Sequence, residues 1–416
     1  MNKKKKMAPE LRFPEFQDDW EQRKLGELSE KITKKNQDVA VEEVFTNSAE
    51  YGIISQREFF DKDIANSDNI DGYYVVAPDD FVYNPRISTS APFGPIKRNK
   101  LERTGAMSPL YYVFRPHDID LDYLEWFFQT TCWHTFMRFN GNSGARSDRY
   151  AITDKIFNEL PITMPQDIDE QKVIGEFLTR VDTLITLHQR KLDAMKEYKK
   201  GLLQKMFPKK GEKVPELRFP GFTDDWEQRK FGEITDIKSA SRVHKEEWTS
   251  SGVPFYRSSD VMSALNGTDN TKAYISEELY EKLSAVSGKL EKGDILVTGG
   301  GSVGNPYRVP DNAPLYTKDA DLLWVKRNIR LNPDFVYQFF LSPLFRDYIS
   351  SISHVGTIAH YTITQLENTP IALPSIEEQK QIGEFLTALD NTVTLHQRKL
   401  DNMKEYKKGL LQKMFV

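Results

Sequence analysis

Two long stretches carry an unbroken helical alternation of apolar and polar positions. In residues 170–207, Ile174, Phe177, Leu178, Val181, Leu184, Ile185, His188, Leu192, Met195, Leu202 and Met206 recur at spacings of mostly three and four, the mark of one apolar stripe on a helix. Residues 378–415 repeat the stripe with Ile382, Phe385, Leu386, Leu389, Val393, His396, Leu400, Met403, Leu410 and Met414. Thr392 stands where the first copy has Leu184, a local weakening. No proline interrupts either run, and Gly201 and Gly409 are the places where a break is expected. A helix of about 38 residues is roughly 57 Å long, and its apolar stripe needs a partner. An antiparallel, coiled-coil-like pair is expected; the alternative is that each helix packs on its own domain. His188 and His396 read as hydrogen-bonded seam residues, because no suitable Cys or His neighbours complete a zinc site.

Elsewhere the pattern is mixed. Residues 73–86 and 108–116 are β-rich, 121–139 read as an aromatic amphipathic helix, and 161–165 as a short closing strand. The second half offers a strand running into a glycine loop (293–306), a strand at 322–328, an aromatic helix at 333–350 and a closing strand at 370–374. The aromatics on both helices are expected in the core. The fold class is therefore mixed α/β, with two globular regions and two long helices.

The chain is written twice. Residues 9–28 and 215–234 agree at 16 of 20 positions, and residues 170–207 and 378–415 at 31 of 38. Residues 29–169 and 235–377 have similar lengths and no obvious identity. A period near 207 is far beyond a solenoid repeat. The duplicated module predicts a basic tail (1–8), a first domain (9–166), a central helix (167–208), a linker (209–214), a second domain (215–374) and a C-terminal helix (375–416). The part that differs is expected to be the part that discriminates.

Composition narrows the function. The 416 residues hold 57 Lys+Arg against 61 Asp+Glu, a net charge of −4. Coating nucleic acid by bulk positive charge is excluded, while a local basic face is not. Lys3–Lys6 read as a solvated tail, with a phosphate contact as the lesser reading. Cys132 is the single cysteine, which excludes an intrachain disulfide framework and a cysteine zinc cluster and fits a reducing cytoplasm. No apolar run approaches 18 residues.

Several polar, basic loops are not explained by packing. In the first region they hold Arg86, Ser88, Ser90, Lys97, Arg98, Arg146, Arg149 and Tyr150; in the second, Arg242, Arg257, Ser258, Ser302, Asn305, Arg308, His360 and Tyr361. Arg, Asn and Ser are side chains that reach base edges and phosphates, so these are the candidate DNA-binding residues. The helix-pair interface is expected from Ile174, Phe177, Val181, His188, Leu192, Met195 and Leu202 against Ile382, Phe385, Leu389, His396, Leu400, Met403 and Leu410. GGGSVGN lacks the Lys-Ser/Thr of a phosphate-cradling loop, YNPRIS has Arg where an adenine methyltransferase motif has Pro, and no metal cluster or nucleophile elbow is evident. No catalytic residue and no metal site is assigned.

With the doubled DDWEQRK blocks, the GDILVTGGGSVGN strand, the closing ELPITMP and TPIALP, and the doubled EQ-x-x-IGEFL helix, the chain resembles specificity subunits of type I restriction-modification enzymes over nearly its full length. The resemblance implies two target recognition domains, each reading one half of a split, asymmetric double-stranded DNA sequence. It implies an antiparallel helix pair that sets the gap and docks two methyltransferase subunits, with two ATP-dependent translocase-nuclease subunits joining for cleavage. S-adenosylmethionine, ATP and Mg are then expected on the partners, none on this chain, in a bacterial cytoplasm. A non-catalytic scaffold with a non-DNA ligand is the alternative, and an enzyme with a hidden site a third.

Overall fold

The computed structural model describes residues 7–59, 70–143, 148–318, 321–352 and 360–416. The basic run Lys3–Lys6 and Arg146 lie outside them. The chain divides into two compact units, residues 1–187 with 400–416, and residues 188–399.

The first unit is built on a four-stranded antiparallel sheet in the order Ser29–Lys31, Tyr112–Pro116, Phe81–Tyr83, Ile96–Arg98. The second repeats this order with Ile237–Ser239, Leu322–Val325, Ile295–Thr298 and Pro306–Arg308. The registers correspond: Tyr83 faces Ile96 and Tyr112, and Val297 faces Pro306 and Leu323. In each unit the opening block pairs antiparallel with the closing strand, Glu21–Lys24 with Pro161–Met164 and Glu227–Lys230 with Pro370–Leu373. Around this shared centre the units differ. The first adds the hairpin Phe45–Ser48 with Gly52–Ser55 and the two-stranded pair Tyr74–Val76 with Gly105–Met107, the second a four-stranded mixed sheet containing Val253–Tyr256 and Tyr316–Thr317.

Each expected aromatic helix is two helices. The first breaks between Leu121–Phe127 and His134–Asn140, where the Thr130 hydroxyl donates to the Phe127 carbonyl and competes with the helical ladder. The second breaks between Pro333–Leu341 and Pro343–Ile352, because Ser342 before the proline is extended and Pro343 has no N–H to donate. Most of their aromatics are buried, among them Tyr123, Trp126, Phe127, Phe335, Phe339 and Phe340. Phe139 is the exception at 81 % exposed.

The long helices run unbroken over Ile168–Met206 and Ile376–Lys413, so neither Gly201 nor Gly409 interrupts them. Both expected packings occur together. Ile174 and Leu178 enter the core of the first domain, and so do Leu410, Met414 and Phe415 from the end of the other helix. In the second unit, Ile382 and Leu386 share a core with Leu202, Leu203, Met206 and Phe207. The antiparallel sense is visible within the second unit. His188 lies beside His396 with ring centroids 6.3 Å apart, while Lys199, further up its helix, pairs with Asp390, further down the other. In the first unit Lys407 pairs with Asp182. These two ion pairs are copies of one another at the 208-residue offset.

The stripe itself needs correction. Leu184 is 50 % exposed, so it stands outside the seam and Thr392 weakens nothing. Ile185, Leu192 and Leu400 are buried, while Val181, His188, Met195, Leu389, His396 and Met403 are half-buried. Phe177 and Phe385 meet the opening blocks, edge-on to Phe13 and Phe219 at 5.7 Å in both copies. They serve the join between helix and domain rather than the seam.

Candidate nucleic-acid interface

The site rests on a frame whose chemistry explains the doubled motif. Arg12 grips Glu170 with two hydrogen bonds of 2.6 and 2.7 Å, and Arg218 grips Glu378 at 2.7 and 2.8 Å. Both glutamates are fully buried, and the ion pair lifts the pKa of each arginine. The next residue, Gln171 or Gln379, accepts from the backbone N–H of Asp120 or Asn332 and donates to the carbonyl of Pro165 or Pro374. Gly175 and Gly383 let the helix approach closely: a Cβ would stand 2.8 Å from the Asp122 side chain in one and 2.7 Å from Asp334 in the other. Glu, Gln and Gly of EQ-x-x-IGEFL thus each fix the helix start against its domain.

At the other end of each central hairpin a loop meets a second segment. In the first domain, Asn84 closes the turn by accepting from the Arg86 N–H and donating to the Asn47 carbonyl. Tyr150 N–H donates to the Pro85 carbonyl at 2.7 Å, and Ile87 N–H to that of Asp148 at 3.0 Å. Arg86 and Arg149 are brought opposite each other on this bridge. Both are exposed, and among the described residues neither has an acidic partner. Ser88 and Ser90 follow, their hydroxyls 3.2 Å apart. Gly94, at φ +84°, returns the loop against the Asn84 carbonyl, where any Cβ would collide.

The second domain repeats the backbone plan with other side chains. Tyr361 N–H donates to the Gly299 carbonyl at 2.7 Å, and Gly304 N–H to that of Thr298 at 2.7 Å. Gly301 and Gly304 both take positive φ, at +69° and +78°. Ser302 and His360 are exposed on this tip. Asn305 is buried, donating to the Ser302 carbonyl and accepting from Arg346, whose guanidinium pKa is lowered by burial. The sequence does not single out Arg346, whose place in an aromatic helix carries no signal.

Most of the other candidates are spent elsewhere. Arg98 pairs with Asp79 and Asp122, and Arg308 with Asp334, so these equivalent arginines hold the edge strand to the helix that follows. Lys97 is half-buried on the same strand, and burial pushes its pKa down. Arg257 pairs with Asp260 and donates to the Thr271 carbonyl, and Ser258 donates to the carbonyl of Asp321. Tyr150 and Tyr361 are core residues, 8 % and 2 % exposed, with hydroxyls bonded to the Met137 carbonyl and to Thr369. Arg242 is exposed, beyond the strand Ile237–Ser239. The structure therefore brings together Arg86, Ser88 and Arg149 in one domain and Ser302 and His360 in the other.

Two like cores, each lifting an unlike pair of loops on a copied frame, define a protein of two duplicated domains with divergent tips. A family profile described as the type I restriction modification DNA specificity domain matches residues 17–197 and again 223–405. The chain belongs to that family. It is similar to the type I restriction enzyme MjaVIII specificity subunit of Methanocaldococcus jannaschii, 24 % identical over 271 residues and 62 % of each chain. It is also similar to the putative specificity subunit S.HindORF215P of Haemophilus influenzae, 27 % identical over 169 residues, 39 % of this chain and 40 % of that one. The matches thus span about three fifths and two fifths of these relatives' lengths. The S subunit structure of a type I restriction-modification system from M. genitalium aligns at TM-score 0.58 and 16 % identity over 99 % of both chains. A chain from a structure on complex assembly and conformational transition of the type I R-M system aligns at 0.55 and 15 %, over 95 % of this chain and 97 % of that one. Both share its fold.

Proposed function

We propose that this chain is the DNA sequence-specificity subunit of a type I restriction-modification complex. Each domain reads one half of a bipartite, asymmetric target through its tip loops, and the helix pair sets the gap and docks the methyltransferase subunits. One observation carries this reading: the frame residues make the same contacts in both copies, while the loops hung from the same backbone hydrogen bond differ. Two unlike readers on one repeated frame suit two unlike half-sites, as a symmetric dimer suits a palindrome.

In this reading the chain is not catalytic. Methyl transfer with S-adenosylmethionine and ATP- and Mg-dependent translocation and cleavage belong to two methyltransferase and two translocase subunits. The complex works in the bacterial cytoplasm; among the described residues no helix is long and apolar enough to cross a membrane. Arg86, Ser88, Arg149 and Arg242 are the proposed phosphate and base contacts, with Ser302 and His360 reading the second half-site. Arg146 joins them as a proposal from its sequence position alone. Lys97, Arg98, Tyr150, Arg257, Ser258, Asn305, Arg308 and Tyr361 are framework.

The test is a methylation pattern. Arg86→Ala with Arg149→Ala should relax or weaken recognition at one half-site only, since a base contact is worth about 1–3 kcal/mol of discrimination. Loss at neither half-site, or at both alike, would remove the tip from the reading.

A further inference from the structure

The tip of the second domain carries a carboxylate that the frame does not require. Asp321 immediately precedes the strand Leu322–Val325. Its backbone carbonyl accepts from the Gly299 N–H at 2.7 Å and from the Ser258 hydroxyl at 3.0 Å, which ties it to the glycine turn. Lys318 holds its Oδ2 at 2.7 Å, and the Asp321 side chain is 31 % exposed. Oδ1 lies toward Gly300, where a Cβ would stand 3.5 Å from it and 3.8 Å from Nδ1 of His360. The carboxylate and the imidazole therefore flank one glycine, on the turn that also exposes Ser302.

The first domain has a different group at this place. Tyr112 and Leu323 hold the same register position, opposite Tyr83 and Val297, so Leu110 is the counterpart of Asp321. Leu110 is 57 % exposed and apolar. Pro85 stands where the second domain has Gly299, and it has no N–H to bond the residue before the strand. The position thus differs in chemistry between two copies whose sheets agree in register.

A carboxylate only accepts hydrogen bonds. Against base edges it gains a bond from an amino group and is repelled by carbonyl oxygens and unprotonated ring nitrogens. Cytosine is the base whose major-groove edge offers an amino group with no acceptor beside it. The Lys318 ammonium offsets the repulsion between the carboxylate and nearby phosphates. We infer that Asp321 is a specificity-determining residue of the second domain, its Oδ1 accepting from the N4 amino group of one cytosine in the second half-site. This rests on the DNA-reading function proposed above.

The experiment uses the chain assembled with its methyltransferase partners. Binding at fixed salt is measured on synthetic duplexes that carry each base pair in turn across the half-site that stays fixed when residues 29–169 are exchanged. At one position the wild-type complex should bind cytosine about tenfold more tightly than thymine. Asp321→Asn adds a donor that can bond the thymine O4, so the ratio there should fall to near one, with every other position and the other half-site unchanged. Asp321→Leu, which installs the first domain's residue, should also lose the ratio and serves alone if the asparagine variant does not fold. An equal loss of affinity for every duplex would make Asp321 a support of the loop and overturn its reading role. So would a half-site without a cytosine preference, or an unchanged ratio in variants that still discriminate this half-site. A wild-type complex that does not discriminate the half-site at all overturns the reading function itself.

Discussion

The two ends of each domain obey different rules. At the helix end the copies agree contact by contact: Arg12–Glu170 and Arg218–Glu378, Gln171 and Gln379, Gly175 and Gly383, Phe13–Phe177 and Phe219–Phe385. At the tip end they agree only in backbone, through Tyr150 N–H to Pro85 and Tyr361 N–H to Gly299. Side chains at the helix end are locked by buried charge and close approach, where nearly any change is felt. Side chains at the tips project from a conserved hydrogen bond and can be exchanged without disturbing what lies beneath. In the proposed reading, this division lets one frame carry two specificities.

The largest effect expected from breaking it lies at the clamp. Glu378→Ala leaves Arg218 half-enclosed without its partner, and loss of one member of a buried ion pair costs about 3–5 kcal/mol. Glu170→Ala should cost as much or more, because Trp20 also donates to Glu170. Thermal or denaturant unfolding of the full chain reads both. Near-equal, sub-kilocalorie losses would show that the frame is not anchored there.

A smaller effect separates the copied helix ion pairs. Lys407 bonds Asp182 and also lies 4.6 Å from the Trp126 ring, whereas Lys199 bonds Asp390. Lys407→Ala should therefore destabilise more than Lys199→Ala, by about 0.5–1 kcal/mol for the added cation–π contact. Equal losses would remove that distinction.

An effect of similar size is a gain. Gly201 and Gly409 sit inside continuous helix with open space where a Cβ would go. Gly201→Ala and Gly409→Ala should each stabilise by about 1 kcal/mol. A loss of stability would mean that the helix bends at these points.

What the sequence makes legible follows the same division. The repeat offset exposes the frame, and the three-and-four spacing exposes both long helices, because buried stripes leave a periodic trace. Position along the stripe does not say which neighbour is met, so Leu184 reads as seam and Phe177 as helix-to-helix, although one is exposed and the other meets Phe13. The aromatic helices read as continuous because a side-chain bond such as Thr130 to Phe127 carries no period. Among the tip residues, Arg86 and Arg149 are separated by more than sixty positions, and only the hydrogen-bonded crossing of the two segments brings them together. Arg98 and Arg308 look just as free in sequence, but Asp122 and Asp334 occupy them in the fold. The paired aspartates at equivalent helix starts were the available signal.

The most direct test replaces the first variable region, residues 29–169, with the corresponding region of another member of the family and maps adenine methylation in cells. The account predicts that one half of the target changes while the other half and the gap between them stay as they were. A change in both halves, or in neither, would contradict it.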